Sequence, residues 1–154
     1  MIDIQIDLGD VPGVLGRLAD PKMGVLAAKA AAEAYVDETL DWIDAGKSFT
    51  SREGILEQSI GWRPLSDGAE VYANAEYAGF VEFGTAPHVI EPKPGRKALK
   101  FPVAGGGYGF ARRVNHPGSR PHPFFFADLS HRENVMQQRA LSVLARYVDG
   151  GAYG

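Results

Sequence analysis

The chain has 154 residues, of which 45% are hydrophobic and 23% are charged, proportions typical of one globular domain with one core. It contains no cysteine, which excludes disulfides, thiolate nucleophiles and thiolate metal ligands. No basic segment followed by an apolar run opens the chain, and it lacks a run of roughly 18 apolar residues. We therefore expect neither a secretion signal nor a membrane span, and no membrane partner.

The net charge of -3 conceals an uneven distribution. Residues 1–90 hold 6 Lys/Arg against 15 Asp/Glu, whereas residues 91–123 hold seven cations against Glu91 alone. Such a basic segment is typical of a nucleic-acid contact, of a contact with the acidic face of a neighbouring subunit, or of a solvated charged loop. The seven cations are Lys93, Arg96, Lys97, Lys100, Arg112, Arg113 and Arg120.

The N-terminal residues alternate between aliphatic and polar side chains, which predicts a half-buried strand over residues 2–8. A turn is expected at residues 9–13. Beyond it, Val14, Leu15 and Leu18 fit one short helix.

From Pro21 to about Asp44 the apolar residues recur at helical spacing. Pro21 in the first turn and Gly46 just past the end mark the limits of this helix. Its alanines between residues 27 and 34 have little bulk, so another element can approach closely. The predicted apolar stripe is Val25, Ala28, Ala32, Val36, Leu40 and Ile43, opposite Lys29, Glu33, Asp37, Asp41 and Asp44.

Shorter elements are predicted in the middle of the chain. Residues 51–54 can open a helix of one or two turns that carries Ile55, Leu56 and Ile60. The Ser-Asp-Gly turn at residues 66–68 predicts a hairpin. Its paired segments are residues 59–65 and 69–73.

A second, longer hairpin is predicted from the apolar runs 98–103 and 110–114, which flank a flexible glycine tip. The tip lacks both the dinucleotide-binding spacing and the Gly-Lys-Ser/Thr ending of a phosphate loop. After it, one apolar series at helical spacing predicts a last helix that ends near Val148, before Gly150 and Gly151. The series is Leu129, Met136, Ala140, Val143 and Tyr147.

These elements predict an α+β fold with a short antiparallel sheet packed against a long N-terminal helix and a C-terminal helix. The predicted fold also has a long glycine-tipped hairpin or loop. We expect a single domain over residues 1–154, with a flexible arm at approximately 92–121.

Candidate catalytic groups are few. The chain has neither cysteine nor a Gly-x-Ser-x-Gly motif, so we predict no catalytic residue, no cofactor and no enzymatic activity. His88, His116 and His122 could in principle hold a metal ion, as in a small metal-dependent hydrolase. No ligand pair at helical spacing accompanies them, and loop histidines packed against proline and aromatic rings are the preferred interpretation.

Residues 77–85 form the most distinctive segment of the chain. Tyr77, Phe80 and Val81 share one helical face, and Gly84 can end the helix in a left-handed conformation. This pattern predicts a short buried helix, to which Phe83 also contributes packing.

A second aromatic segment precedes the last helix. His116, Pro117 and Gly118 are expected to shape a bend there. We expect that the three consecutive phenylalanines at residues 124–126 cannot all face one core, and that at least one covers a neighbouring subunit.

Three segments carry a resemblance: YAGFVEFGT (77–85), HVIEPKPGRKALKF (88–101) and VNHPGSRPHPFFFADL (114–129). In this order they resemble the signature of a family of tailed-bacteriophage head-tail joining and tail-completion proteins, named for gene product ten of a lambdoid long-tailed phage. GILEQSI (54–60) stands where such proteins carry a Gly-x-Leu-x-x-Ser-Ile element, so the resemblance covers about half of the chain. The matching motif residues are Tyr77, Ala78, Glu82, Gly84, Thr85, Leu99, Phe101, His116, Pro117, Gly118, Pro123 and Phe124.

The resemblance implies a structural virion protein of the neck or upper tail, assembled in the bacterial host cytoplasm as a ring that is expected to be a hexamer. Its implied partners are copies of itself, neighbouring neck proteins, and tail-terminator or tail-tube proteins, with transiting phage DNA as a further candidate. It implies no catalytic residue. The basic hairpin would then contact a neighbouring subunit or line a DNA channel. The alternative function is a DNA-binding domain that uses the basic segment 93–120.

Overall fold

The computed structural model describes residues 1–7, 20–51 and 53–148. Its architecture is α+β, as predicted, and no described helix is long and apolar enough to cross a membrane. The turn expected at residues 9–13 and the short helix expected after it lie outside the described residues. The helices are α1 (Pro21–Asp44), α2 (Ile55–Gln58), α3 (Ala78–Phe83) and α4 (Leu129–Val148), and the strands are β1 (Ile2–Ile6), β2 (Ile60–Pro64), β3 (Ala69–Ala73), β4 (His88–Ile90), β5 (Leu99–Pro102), β6 (Tyr108–Ala111) and β7 (Val114–His116).

The central sheet has three antiparallel strands in the order β1-β3-β2. The predicted alternation of β1 is confirmed, since Ile2 and Ile6 are buried while Asp3 and Gln5 are exposed. The predicted hairpin between β2 and β3 is also present, and its turn is closed by a backbone hydrogen bond across residues 65–68. Strand β3 is the middle strand, so both of its edges are paired. Four of its five residues are buried, which places it at the centre of the core.

Helix α1 lies between the sheet and α4. Ala28, Ala32 and Tyr35 belong to the core cluster that contains the buried residues of the sheet. Ala27, on another side of the helix, belongs to a cluster with residues of α4. The predicted close approach of another element to the alanines is therefore confirmed. Burial on two sides also explains why the single predicted stripe was incomplete. The prediction that Val25 belongs to the buried stripe was wrong, because Val25 is 56% exposed.

Helix α4 has the predicted extent and packs principally on α1. Its buried positions include Leu144 and Arg132, whereas Leu129, which was predicted to be in the apolar stripe, is 46% exposed. Near the end of the helix, the Tyr147 hydroxyl donates a hydrogen bond of 2.5 Å to Asp20 Oδ2. The same carboxylate caps α1, because Oδ1 accepts from the N–H of residue 22. One aspartate thus fixes the start of α1 to the last turn of α4.

Residues 85–119 form a two-stranded antiparallel structure, which we call the ribbon. It begins at a bridge between Thr85 and Ser119, continues through β4 paired with β7, and ends in β5 paired with β6. Residues 91–98 bulge out between the two ladders, opposite residues 112–113 only. Val114 therefore pairs with β4, and its predicted place in the second strand of the glycine-tipped hairpin was wrong. Two prolines in the bulge explain the interruption, because proline cannot donate to a ladder.

The ribbon contributes nothing to the hydrophobic core. Every residue from 83 to 123 is described, and none of them is buried. Strands β5 and β6 contact one another far more than any other helix or strand. The ribbon therefore stands on the domain as an attached arm.

Replacing Tyr147 by Phe should raise the pKa of Asp20. The hydrogen bond from Tyr147 is the main cause that lowers the pKa of this carboxyl below its ordinary value of 3.8. A carboxyl whose pKa is lower in the folded protein than in the unfolded protein contributes stability above its unfolded pKa, and this stability is lost as the pH falls through the folded pKa. Tyr147→Phe should therefore reduce the loss of stability on acidification. A ¹³C NMR titration of the Asp20 carboxyl measures the shift, with Tyr108→Phe as the control. An unchanged Asp20 titration in Tyr147→Phe would contradict the assignment.

Candidate functional site

Helix α3 exists where it was predicted, but it buries a different face. Ala78 and Glu82 are buried, whereas Tyr77 is 42% exposed, Phe80 62% and Phe83 63%. Of the predicted face, Val81 packs against the core, whereas the assignment of Tyr77 and Phe80 to the core was wrong. The small alanine allows close packing of a six-residue helix, and a carboxylate lies beneath it.

The buried carboxylate of Glu82 binds three consecutive backbone amides. The N–H groups of Phe124 and Phe125 donate to Oε2 at 2.8 Å each, and the N–H of Phe126 donates to Oε1 at 3.1 Å. Three successive amides turned to one side form a concavity that suits an anion. Glu82 satisfies donors that would otherwise be buried without partners.

The carbonyl side of the same segment is bound by Arg132, which is 1% exposed. Its Nη2 donates to the Phe124 carbonyl at 2.7 Å, and its Nη1 donates to the Phe125 carbonyl and to Thr39 Oγ1. The Tyr35 hydroxyl donates to the Phe125 carbonyl at 2.6 Å, and burial raises the pKa of Tyr35, which keeps it protonated. The guanidinium satisfies carbonyls that lie before the first turn of α4 and have no partner in the helix.

We call Glu82, Arg132 and the peptide groups of residues 124–126 between them the clasp. In the two peptide groups that join residues 124, 125 and 126, the N–H ends point to the carboxylate, and the C=O ends point to the guanidinium or the tyrosine hydroxyl. Each peptide dipole is therefore oriented favourably by both charges. The clasp fixes the chain between the end of the ribbon and the start of α4.

The three phenylalanines of the clasp all contact one core, which contradicts the expectation from sequence. Phe124 and Phe125 are 0% exposed, and Phe126 is half-buried against the same cluster. The three rings pack edge to face on one another, at 6.1 Å between the ring centres of Phe124 and Phe125 and 5.2 Å between those of Phe125 and Phe126, and each also meets another ring. Phe124 meets Phe49 at 5.9 Å between ring centres, Phe125 meets Tyr35 at 5.7 Å, and Phe126 stacks on Phe83 at 6.0 Å.

Two glycines close the base of the ribbon. The backbones of Thr85 and Ser119 exchange two hydrogen bonds of 3.1 Å. Gly84 and Gly118 lie beside this bridge with φ of 72° and 86°. A Cβ on Gly84 would lie 2.5 Å from the Ser119 carbonyl oxygen, so both conformation and space require glycine. Gly84 ends α3 with the predicted positive φ, although its ψ of -176° lies outside the left-handed helical region. The bend predicted at residues 116–118 was wrong, because His116 belongs to β7 and the bridge at Ser119 continues the same antiparallel register.

The residues of the resemblance therefore divide between two places. Those of the first and third segments converge on the clasp and on the glycine bridge, whereas Leu99 and Phe101 lie in the ribbon strand β5. Ala78, Glu82 and Phe124 are buried; Gly84, Thr85, Leu99, His116 and Gly118 are half-buried; Tyr77, Phe101, Pro117 and Pro123 are exposed.

The ribbon presents an aromatic and basic surface. Of the seven predicted cations, six belong to the ribbon and Arg120 directly follows it. All seven are exposed, and none forms an ion pair with a described residue. The Lys100 ammonium lies 3.8 Å from the ring centre of Tyr108. Tyr108 is 62% exposed and Phe110 68%. Exposed aromatic residues together with arginine are typical of protein interfaces.

The structure brings two of the three candidate histidines together. The rings of His88 and His116 lie 4.9 Å apart between centres, whereas His122 bonds to the Ser48 carbonyl. The N–H of Gly118 donates to His116 Nδ1, so the neutral ring carries its proton on Nε2, where a metal would need a lone pair. Among the described residues, no three His, Cys, Asp or Glu side chains are grouped to hold a metal ion.

Sequence reasoning missed Arg132 and Tyr35. A signal for Arg132 was present, because it fills the helical position between Leu129 and Met136 in the predicted apolar series. Tyr35 likewise continues the alanine positions of α1. A charged or hydroxylated residue within an apolar stripe indicates a buried polar group that needs a partner.

No protein-family model, no curated protein and no solved structure matches this chain.

Replacing Glu82 by Gln should destabilise the domain by about 2–4 kcal/mol. Glutamine keeps the shape, but it offers one acceptor oxygen and turns an NH₂ group toward a backbone N–H. Urea unfolding followed by circular dichroism measures the loss. The matched control is Glu76→Gln at an exposed position, for which we expect a change below about 0.5 kcal/mol. Equal stability of the two variants would mean that the three amides do not depend on the charge.

Proposed function

We propose that this chain is a structural virion protein of a tailed bacteriophage, which forms a ring at the neck or upper tail and joins the tail to the head. The observation that carries the proposal is the ribbon, a long segment without a buried residue whose two ends are held by the clasp and the glycine bridge. Because none of its residues is buried, such an arm can contact partners over almost all of its surface. Assembly is its role, and no catalytic residue is assigned.

Charge supports contact between copies of the chain. The ribbon is strongly basic, while α1 carries the exposed carboxylates Asp37, Asp41 and Asp44. A basic arm on one subunit and an acidic face on the next form a head-to-tail interface, which closes into a ring when the rotation per subunit divides the circle. Charge complementarity of this kind also selects the correct register between partners.

The resemblance to head-tail joining and tail-completion proteins supports the same proposal. Two of its three segments meet at the clasp, and the third forms part of the ribbon. The partners that follow are further copies of the chain, the adjacent neck proteins, and tail-terminator or tail-tube proteins. The location that follows is the virion neck or upper tail, after assembly in the host cytoplasm.

The direct test is to locate the protein in particles of the phage whose genome carries the gene. We expect antibody label at the head-tail junction in negative-stain images, whether the free protein is a ring or a monomer by light scattering. Purified particles that lack the protein would overturn the proposal.

Reversing the charge of Arg112 and Arg113 together should prevent ring formation and particle assembly while leaving the fold intact, because both side chains are exposed. The variant Arg112→Glu/Arg113→Glu is compared with Lys22→Glu/Arg146→Glu, which makes the same change of charge at exposed positions outside the ribbon. Light scattering and particle yield measure the effect. Normal assembly of the ribbon variant would contradict a role of these arginines between subunits.

A DNA-binding domain is the second candidate, favoured by cations of the ribbon that are exposed and have no ion-pair partner among the described residues. In that case the isolated protein binds duplex DNA with an affinity that falls steeply as salt rises. Arg112→Glu/Arg113→Glu should then lower the slope of log affinity against log salt by about 2. An absence of salt-dependent binding excludes this candidate.

A further inference from the structure

An open groove lies between the segment before α2 and the exposed side of α3, with a volume of about 290 Å³. Ile55 is 51% exposed and Tyr77 42% at its edge. Large apolar side chains around a concavity on the surface are a feature of protein docking sites. The apolar lining is Phe49, Ile55, Leu56, Tyr77 and Val81.

The outer part of the ribbon has one filled face and one open face. On the first, the ring of Phe101 lies across Gly109, where a Cβ would come within 2.8 Å of it. On the other, Phe110 is paired across the strands with Lys100, and it is 68% exposed. The second face therefore offers an aromatic side chain without a packing site in its own strand pair.

The two surfaces have opposite charge. The groove is lined by two carboxylates, those of Glu53 and Glu57, and by no Lys or Arg among the described residues. Residues 99–113 contain three cations and no carboxylate. An apolar contact surrounded by complementary charges is the usual composition of a specific interface.

We infer that the open face of the ribbon docks in this groove of a second copy of the chain, with Phe110 inserted between Ile55 and Tyr77. The inference rests on the proposed ring, in which it assigns the outer strands of the ribbon, β5 and β6, to the groove. From Ser119 at the base to Phe110, the returning side of the ribbon spans ten residues, which at about 3.3 Å each gives a reach of about 30 Å. That length is sufficient to cross to a neighbour, and β5 and β6 contact chiefly each other within their own subunit.

Because the two surfaces differ, each subunit uses its ribbon on one neighbour and its groove on the other. Such a contact is heterologous, and repetition of it produces a closed ring or an open filament. A symmetric dimer would instead bring ribbon to ribbon.

Phe110→Ala should weaken self-association about tenfold or more, because a buried aromatic side chain at the centre of an interface is typically a hot spot. Leu141→Ala on α4 is the matched control, since Leu141 is 62% exposed. Sedimentation equilibrium of the full chain measures both. Equal association of the two variants would overturn the inference.

Disulfide crosslinking locates the contact, and the absence of cysteine from the chain makes every crosslink specific. Phe110→Cys protein mixed with Ile55→Cys protein should form a crosslinked dimer on oxidation, in concentrated solution or in purified particles. Neither Phe110→Cys alone nor its mixture with Leu141→Cys should do so. A ring that assembles without the Phe110–Ile55 crosslink overturns this docking site and leaves the proposed function standing. Particles without the protein, and no association in solution, overturn both.

Discussion

The interaction on which the rest of the structure depends is the binding of three successive amides by the Glu82 carboxylate. Residues 124–126 leave the ribbon and lead into α4, so their backbone has no ladder or helix to satisfy its polar groups. Arg132 and Tyr35 supply the donors on the other side. With both sides satisfied, two phenylalanine rings can be fully buried at a point where the chain is irregular. The core of the domain and the base of the ribbon are thus joined by one set of polar contacts.

Periodicity predicted the elements that bury one simple face or lie between clear turn signals. The strand β1, the hairpin β2–β3 and the limits of α1 and α4 are of this kind, because alternation, helical spacing, proline and glycine act locally. Periodicity failed at α3, where a pattern of large apolar residues competed with a buried charge. Hydrophobicity assigns Phe80 to the core and Glu82 to solvent, yet Glu82 is buried because distant amides compensate it. Such compensation comes from residues more than forty positions away, and no local pattern contains it.

The ribbon shows a second limit of sequence reasoning. Its glycine tip and the strands beside it were predicted from turn chemistry, and they are present as β5 and β6. The prolines of residues 91–98 indicate an interruption, but they do not determine how many residues bulge out before pairing resumes. That number depends on cross-strand partners, above all on the Thr85–Ser119 bridge that fixes the register at the base. Val114 was misplaced for this reason.

Buried charges are not required to stabilise a small domain, since a protein in which buried ionic groups are replaced by well-packed apolar residues is often equally stable. Charges that each require several directed hydrogen bonds instead favour one backbone geometry over similar alternatives. In this chain the favoured geometry sets the direction in which the ribbon leaves the domain. For the proposed ring this direction matters, because a heterologous contact closes only if the rotation from one subunit to the next is correct, and an angular error repeats at every interface. A rigid polar base beneath an arm that has no core of its own is therefore the arrangement that ring closure would require.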